Sequence, residues 1–299
     1  MKAVAIILSF VFLGTVLFFF IVPDVSRNIS SEIRVLATGD KGGSQGSVGR
    51  PSASSPPKTL EEHYIIPPID PSDYHYPFTP NPEGIKKKGL TRQPGAKTFY
   101  LYTPENPESG RLPAVILLHG GNRDGLAMAD RWRALADRHG VILVAPDGKD
   151  GEWDYAAEKS SFERLFSVMF SNPAIDRDRI YLFGHSAGGM AALPFAADFS
   201  ERIAAVSVHA AMLVSPPYQE AVRNAKRKIP LCLMIGSEDP VVSPEKAREA
   251  AQFFADAGHA ASYIELDGHN HWYYTLADWI NEYAWQCMIH KAPDIFTED

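Results

Sequence analysis

Cysteine is scarce: Cys232 and Cys287 are the only two in 299 residues. Two cysteines argue against a disulfide-framework fold and a four-ligand zinc site, leaving one bridge between them or two buried thiols. Basic charge is also short, with 29 Lys and Arg against 36 Asp and Glu and a net charge of −7. The basic runs at residues 86–88 and 226–228 are three residues long and read as solvated surface. A dedicated nucleic-acid or anionic-membrane binder would carry a clustered basic excess, so no nucleic-acid partner is expected. Internal repeats and an HExxH metal motif are both missing, and neither a metal nor a cofactor is expected. With 45% apolar and 22% charged residues the composition is that of a globular chain rather than a disordered one.

Charge is missing altogether from residues 3–22. Twenty helical residues at about 1.5 Å each match the roughly 30 Å hydrocarbon core of a bilayer. A cleaved signal peptide has a basic n-region, a shorter apolar core and a small-x-small cleavage site. Here Lys2 is the only early base, and Phe18 to Pro23 offers no small pair. Residues 1–25 therefore read as a membrane anchor, with a cleaved signal as the alternative, and either exports the remainder. Aromatics are then lacking between Ile21 and His63, and thirteen of the twenty residues from 38 to 57 are Gly, Ser or Pro. Such a stretch buries too little apolar surface to offset its ordering entropy. Prolines mixed with Tyr64, Tyr74, Tyr76 and Phe78 follow, so residues 26–88 read as a linker and an extended segment.

From residue 89 to 299 short apolar runs alternate with helical patterns. Strands are expected at residues 98–102, 114–118, 141–145, 180–183, 204–208, 231–235 and 262–266. Most are apolar throughout, the mark of strands covered on both faces. Helices are expected at 126–138, 161–170, 189–198, 244–257 and 276–290. This alternation predicts an α/β fold with a mostly parallel sheet flanked by helices, and places any site at the carboxyl ends of the strands.

The strand at 180–183 runs into Gly184-His185-Ser186-Ala187-Gly188, and an alanine-rich helix follows. A Gly-x-Ser-x-Gly turn between strand and helix exposes the serine on a sharp bend that glycines permit. Ser186 is the candidate nucleophile. A serine needs a base, and the base an orienting acid. Downstream, the turn after the strand at 231–235 carries Glu238 and Asp239; Asp239 precedes a proline-fixed turn and is preferred. Later still, His269 and His271 share one loop, and either could be the base. The turn after the strand at 114–118 reads His119-Gly120-Gly121. Its amides and that of Ala187 are candidates for an anion hole, with His119 closing the loop.

Together with Tyr100 to Pro104 and Ile175 to Tyr181, these motifs make residues 89–290 resemble the α/β-hydrolase superfamily. The likeness is to feruloyl-esterase-like, polyhydroxybutyrate-depolymerase-like and dienelactone-hydrolase-like serine esterases. His271-Trp272-Tyr273-Tyr274 with Asn281 and Trp285 resembles the histidine loop and terminal helix of such proteins, which favours His271 over His269. The resemblance implies ester hydrolysis through an acyl-enzyme on Ser186, Asp239 and His271, with Gly120, Gly121 and Ala187 holding the oxyanion. Trp153, Tyr155, His185 and Trp272 are candidates to contact the substrate. Alternatives are an exported polyester depolymerase, a prolyl-oligopeptidase-like peptidase, and an inactive, membrane-tethered binding module.

Overall fold

A computed structural model describes residues 34–35, 60–65, 78–91, 97–104 and 110–291 of the chain. The reading of residues 1–25 as an anchor or signal lies outside them, as does most of the linker. Among the described residues no helix is long and apolar enough to cross a membrane.

Among the described residues ten strands form one sheet: β1 (Arg34–Val35), β2 (Leu60–Ile65), β3 (Lys86–Gly89), β4 (Thr98–Tyr102), β5 (Leu112–Leu118), β6 (Ile142–Pro146), β7 (Ile175–His185), β8 (Val206–His209), β9 (Leu231–Gly236) and β10 (Ala261–Asp267). Their order is β1-β2-β10-β9-β8-β7-β5-β6-β4-β3. The stretch from β2 to β6 is parallel, and β1, β3 and β4 pair antiparallel at the two margins. The mostly parallel, helix-flanked sheet that the alternation predicts is present, and with it the α/β-hydrolase-like architecture that the resemblance implies.

The apolar runs explain the centre of the sheet. Every residue of β5, β6, β8 and β9 is buried, because helices cover both faces. On one face Trp132, Leu135, Tyr273, Ile280 and Trp285 pack from α1 (Gly125–His139) and the C-terminal α6 (Ala277–Lys291) with its preceding turn. On the other, Phe162, Phe166, Phe195 and Phe254 pack from α2 (Tyr155–Ser171), α3 (Ala187–Asp198) and α5 (Pro244–Asp256). The short α4 (Pro216–Arg223) adds Ala221 and Val222 to that layer. α2 starts six residues before the stretch expected from periodicity, because Asp154 caps it by accepting from the Ala157 N–H at 3.0 Å.

Three segments from before the expected domain, β1, β2 and β3, also join the sheet. β2 pairs along its length with β10, His63 opposite Glu265. β3, the lysine run read as surface, is exposed at all four residues yet pairs with β4. The two cysteines, left open between bridge and free thiols, form a disulfide that joins β9 to α6, with Cα atoms 6.5 Å apart.

Candidate active site

The parallel strands deliver their carboxyl ends to one side of the sheet, and the polar groups of interest gather there. β7 ends at Ser186, which has φ 53° and ψ −123°. A non-glycine residue at positive φ is strained and persists only where its surroundings hold it. Those surroundings are the motif's glycines. A Cβ on Gly188 would sit 2.4 Å from the carbonyl oxygens of both Leu118 and His119, and one on Gly184 would sit 2.4 Å from that of Gly188. The first turn of α3 can therefore lie directly on the end of β5. The Ser186 N–H donates to the His209 carbonyl at 2.9 Å, tying the bend to the neighbouring strand.

His271 Nε2 stands 2.8 Å from Ser186 Oγ, and His271 Nδ1 stands 2.8 Å from Asp239 Oδ2. The other oxygen of Asp239 accepts from the N–H groups of Val241 and Val242, both at 2.8 Å. This buried carboxylate is held on both sides, so it fixes one ring orientation and favours the Nδ1–H form of His271. That leaves the Nε2 lone pair toward the serine hydroxyl. Glu238, beside it in sequence, is exposed and turned away. The histidine loop is itself anchored. Tyr273 is fully buried; its hydroxyl accepts from Trp132 Nε1 at 3.0 Å and donates to Asn281 Oδ1 at 2.5 Å. Asn281 donates on to the Arg131 carbonyl at 2.9 Å.

His269, two residues before, points elsewhere. It is fully buried, and neither ring nitrogen has a partner among the described residues. Burial is the main reason its pKa falls to about 4, with the His271 charge adding to the shift. Its neighbours are also imidazoles: the His269 ring lies 5.2 Å from His209, whose Nδ1 is 3.0 Å from His185 Nδ1. Burial first, then the adjacent histidines, hold both His185 and His209 well below the usual histidine range. This second group of histidines at the strand ends was not visible in the sequence, because β8 had to be set beside β7 to bring His209 to His185.

The loop 119–123 borders Ser186 on the other side. His119 is buried; its Nδ1–H donates to the Gly120 carbonyl at 2.9 Å, and its Nε2 accepts from the Gly148 N–H at 2.8 Å. A Cβ on Gly120 would lie 2.9 Å from His185 Cδ2 and 3.5 Å from Ser186 Cβ, so only glycine lets this strand of backbone come so near the serine. Ala187 is the first residue of α3, and its N–H has no intrahelical acceptor.

The candidate substrate contacts separate. His185 packs against His271 with ring centres 5.3 Å apart, and half-buried Trp272 stands edge-on to His271 at 6.3 Å. Trp153 lies one step back: its Nε1 donates to the His119 carbonyl at 2.8 Å and its ring leans on the His119 imidazole. Tyr155 is not brought to the site. Its hydroxyl donates at 2.5 Å to Asp198, at the far end of α3 and about 18 Å of helix from Ser186. Its ring packs on Phe195 and Tyr218.

Metal-capable groups lie elsewhere. Among the described residues His63, Glu265 and Asp267 bring one potential ligand atom each within 4.8 Å of one another. They sit at the β2–β10 margin, and Glu265 is already paired with Arg248 at 3.0 Å.

Residues 92–292 match the Esterase family. The chain belongs to the Esterase family of α/β hydrolases. Curated relatives match part of its length. One is the bifunctional acetylxylan esterase/xylanase XynS20E of Neocallimastix patriciarum, 28% identical over 180 residues, covering 57% of this chain and 26% of that protein. Another is the S-formylglutathione hydrolase of Mus musculus, 26% identical over 125 residues, covering 32% of this chain and 44% of that one. The matches thus span less than half the length of either relative. Among solved structures, Est1E from Butyrivibrio proteoclasticus superposes with a TM-score of 0.56 at 15% identity, over 69% of this chain and 98% of that one. An S-formylglutathione hydrolase from Agrobacterium tumefaciens gives 0.55 at 18% identity, over 70% of this chain and 94% of that one. At such identity these two structures establish the fold of this esterase-family chain and no more.

Proposed function

We propose that the chain hydrolyses carboxylic esters through an acyl-enzyme on Ser186. The observation that carries this reading is the hydrogen-bonded line from Asp239 through His271 to Ser186, with both contacts at 2.8 Å. Membership of the Esterase family supports it. In the first step His271 Nε2 takes the hydroxyl proton as Ser186 Oγ bonds to the ester carbonyl carbon. The carbonyl electron pair moves onto oxygen, which the N–H groups of Ala187 and of Gly120 or Gly121 receive. Collapse breaks the bond to the alcohol oxygen, and His271 returns its proton to that leaving group. Water then repeats the sequence on the acyl-enzyme. Asp239 holds the imidazole throughout and compensates the charge that forms on it.

The acyl group we propose is small. The related proteins are named as an acetylxylan esterase and an S-formylglutathione hydrolase, and α2 is packed on the sheet through Phe162, Leu165, Phe166 and Met169, which leaves little chain there for a large cover over an acyl chain. Ser186→Ala should reduce hydrolysis of p-nitrophenyl acetate by at least about 10⁴-fold and abolish labelling by a fluorophosphonate, with unchanged thermal unfolding. Retention of a tenth of the activity would refute the assignment. Loss of labelling with the folded protein intact also distinguishes an enzyme from a binding module.

We further propose that residues 1–25 anchor the protein in a membrane, with the hydrolase domain on the exported side. The uncharged run at 3–22 supports this, and so does the Cys232–Cys287 bridge, since such bonds persist in oxidising compartments. Fractionation with and without residues 1–25 is the test: recovery of the full chain in the soluble fraction with those residues still attached would refute anchoring.

A further inference from the structure

His185 and His209 meet nitrogen to nitrogen, Nδ1 to Nδ1, at 3.0 Å. Two neutral imidazoles can bond in this way only if one carries its proton on Nδ1 and the other on Nε2. Both rings are buried, at 5% and 0% exposure, and both are held neutral. The two possible arrangements are not equivalent. If His185 donates, His209 must carry its proton on Nε2, which is buried and has no partner, so an N–H would be orphaned. If His209 donates, its Nε2 is a bare lone pair, and orphaned donors are the rarer of the two in folded proteins. The second arrangement puts the remaining proton on His185 Nε2. That atom lies 3.4 Å from where a Cβ on Gly120 would stand, a point itself 3.5 Å from Ser186 Cβ. Unlike His209 Nε2, it is not sealed off from solvent, and no bond to a described residue uses it.

We propose that His185 Nε2–H is a substrate-facing donor at the Gly120 edge of the anion hole, and that His209 is the positioning residue that fixes His185 in that tautomer. The proposal rests on Ser186 as the nucleophile. Its donor would strengthen as charge develops on the substrate oxygen, so its loss falls mainly on kcat. His209→Leu removes the Nδ1–H and frees His185 to adopt either tautomer. His209→Asn keeps an N–H at nearly the same place.

The test pairs nuclear magnetic resonance with kinetics on the full chain. Long-range ¹⁵N–¹H correlation of the wild-type protein should show His185 protonated at Nε2, and His209→Leu should mix the tautomers. With p-nitrophenyl acetate, His209→Leu should lose about 10- to 100-fold in kcat with little change in KM, and His209→Asn should recover most of that loss. A wild-type His185 protonated at Nδ1 overturns the proposal, as does a His209→Leu enzyme with kcat within about twofold of wild type. Should His209→Leu not fold, the wild-type spectrum still decides. So does a comparison at position 185, where His185→Gln offers a donor at the reach of Nε2 and His185→Phe offers none. Equal kcat for those two overturns the proposal. The tautomer reading needs no turnover, so it fails or holds separately from the Ser186 assignment, which Ser186→Ala tests.

Discussion

Replacing Asp239 by asparagine isolates the role of one charge while leaving its turn in place. In the wild type Asp239 Oδ1 receives the Val241 and Val242 N–H groups, and Oδ2 receives the His271 Nδ1–H, all at 2.8 Å. Asparagine has one acceptor atom, and the two backbone donors will claim it, because the alternative leaves two buried N–H groups unpaired for one. The amide nitrogen then faces His271 Nδ1. To accept from it, the imidazole must move its proton to Nε2, which stands 2.8 Å from Ser186 Oγ. A protonated Nε2 cannot take the hydroxyl proton, so the base is lost without any change in packing. A wrong tautomer in a triad of this kind costs about 10⁴ in kcat, or about 5 kcal/mol at 1.36 kcal/mol per decade. Burst-phase and steady-state hydrolysis of p-nitrophenyl acetate, with thermal unfolding as a control, measure it. The expectation is a loss of 10³- to 10⁴-fold in kcat with a melting temperature within about 2 °C of wild type. A kcat within tenfold of wild type, in a protein that unfolds normally, would mean that Asp239 does not set the histidine's tautomer.

Three further outcomes follow from the geometry. Gly188→Ala forces a methyl to within 2.4 Å of two carbonyl oxygens of β5 and its loop, and should destabilise the protein by several kcal/mol and lower the yield of folded enzyme; a urea midpoint equal to wild type would contradict the contact. His269 is buried neutral with a pKa of about 4 against an ordinary 6.5, so the unfolded chain binds its proton first as pH falls. Stability should therefore be intact above about pH 6.5 and decline between there and pH 4, by on the order of 3 kcal/mol from this residue. His269→Phe should flatten that decline in urea titrations at pH 7 and 5, and an unchanged slope would refute the account. Reducing the Cys232–Cys287 bridge reopens a loop of 55 residues in the unfolded chain, which should cost about 4 kcal/mol; Cys232→Ser should lower the urea midpoint accordingly.

Much of this arrangement was legible in the residues, and the parts that were not share a cause. Continuous apolar runs such as Leu231–Gly236 could only be strands covered on both sides, and they are. Ser186 announced itself because its motif encodes a local bend. The proline that follows Asp239 favours it over Glu238, and only the resemblance favours His271 over His269, because each pair sits on one turn. What separates them is burial and direction: Glu238 faces solvent, and His269 faces the interior between the strand ends. His209 ends β8, and its partner His185 lies 24 residues away and becomes its neighbour only through the β7–β8 register. The polar sequence of β2, with Glu61, Glu62 and His63, gave no strand signal, because this strand near the sheet edge is held by main-chain pairing with β10 and by one ring, Tyr64, packing on Trp279 and Tyr283. Trp153 and Tyr155 are adjacent in pattern, yet the start of α2 between them sends one toward His119 and the other toward Asp198.

The attachment of β2 to β10 bears on where the chain can be cut. Trimming at residue 89, the point at which the composition turns globular, would strip a full-length parallel neighbour from β10 and bare its row of amides and carbonyls. A long uncovered margin of that sort is adhesive: it recruits strands from other molecules. A shortened form beginning near residue 58 keeps β10 paired and ends the sheet on β2, whose Glu61 and Glu62 discourage such recruitment, and should stay monodisperse, while one beginning at 89 should self-associate.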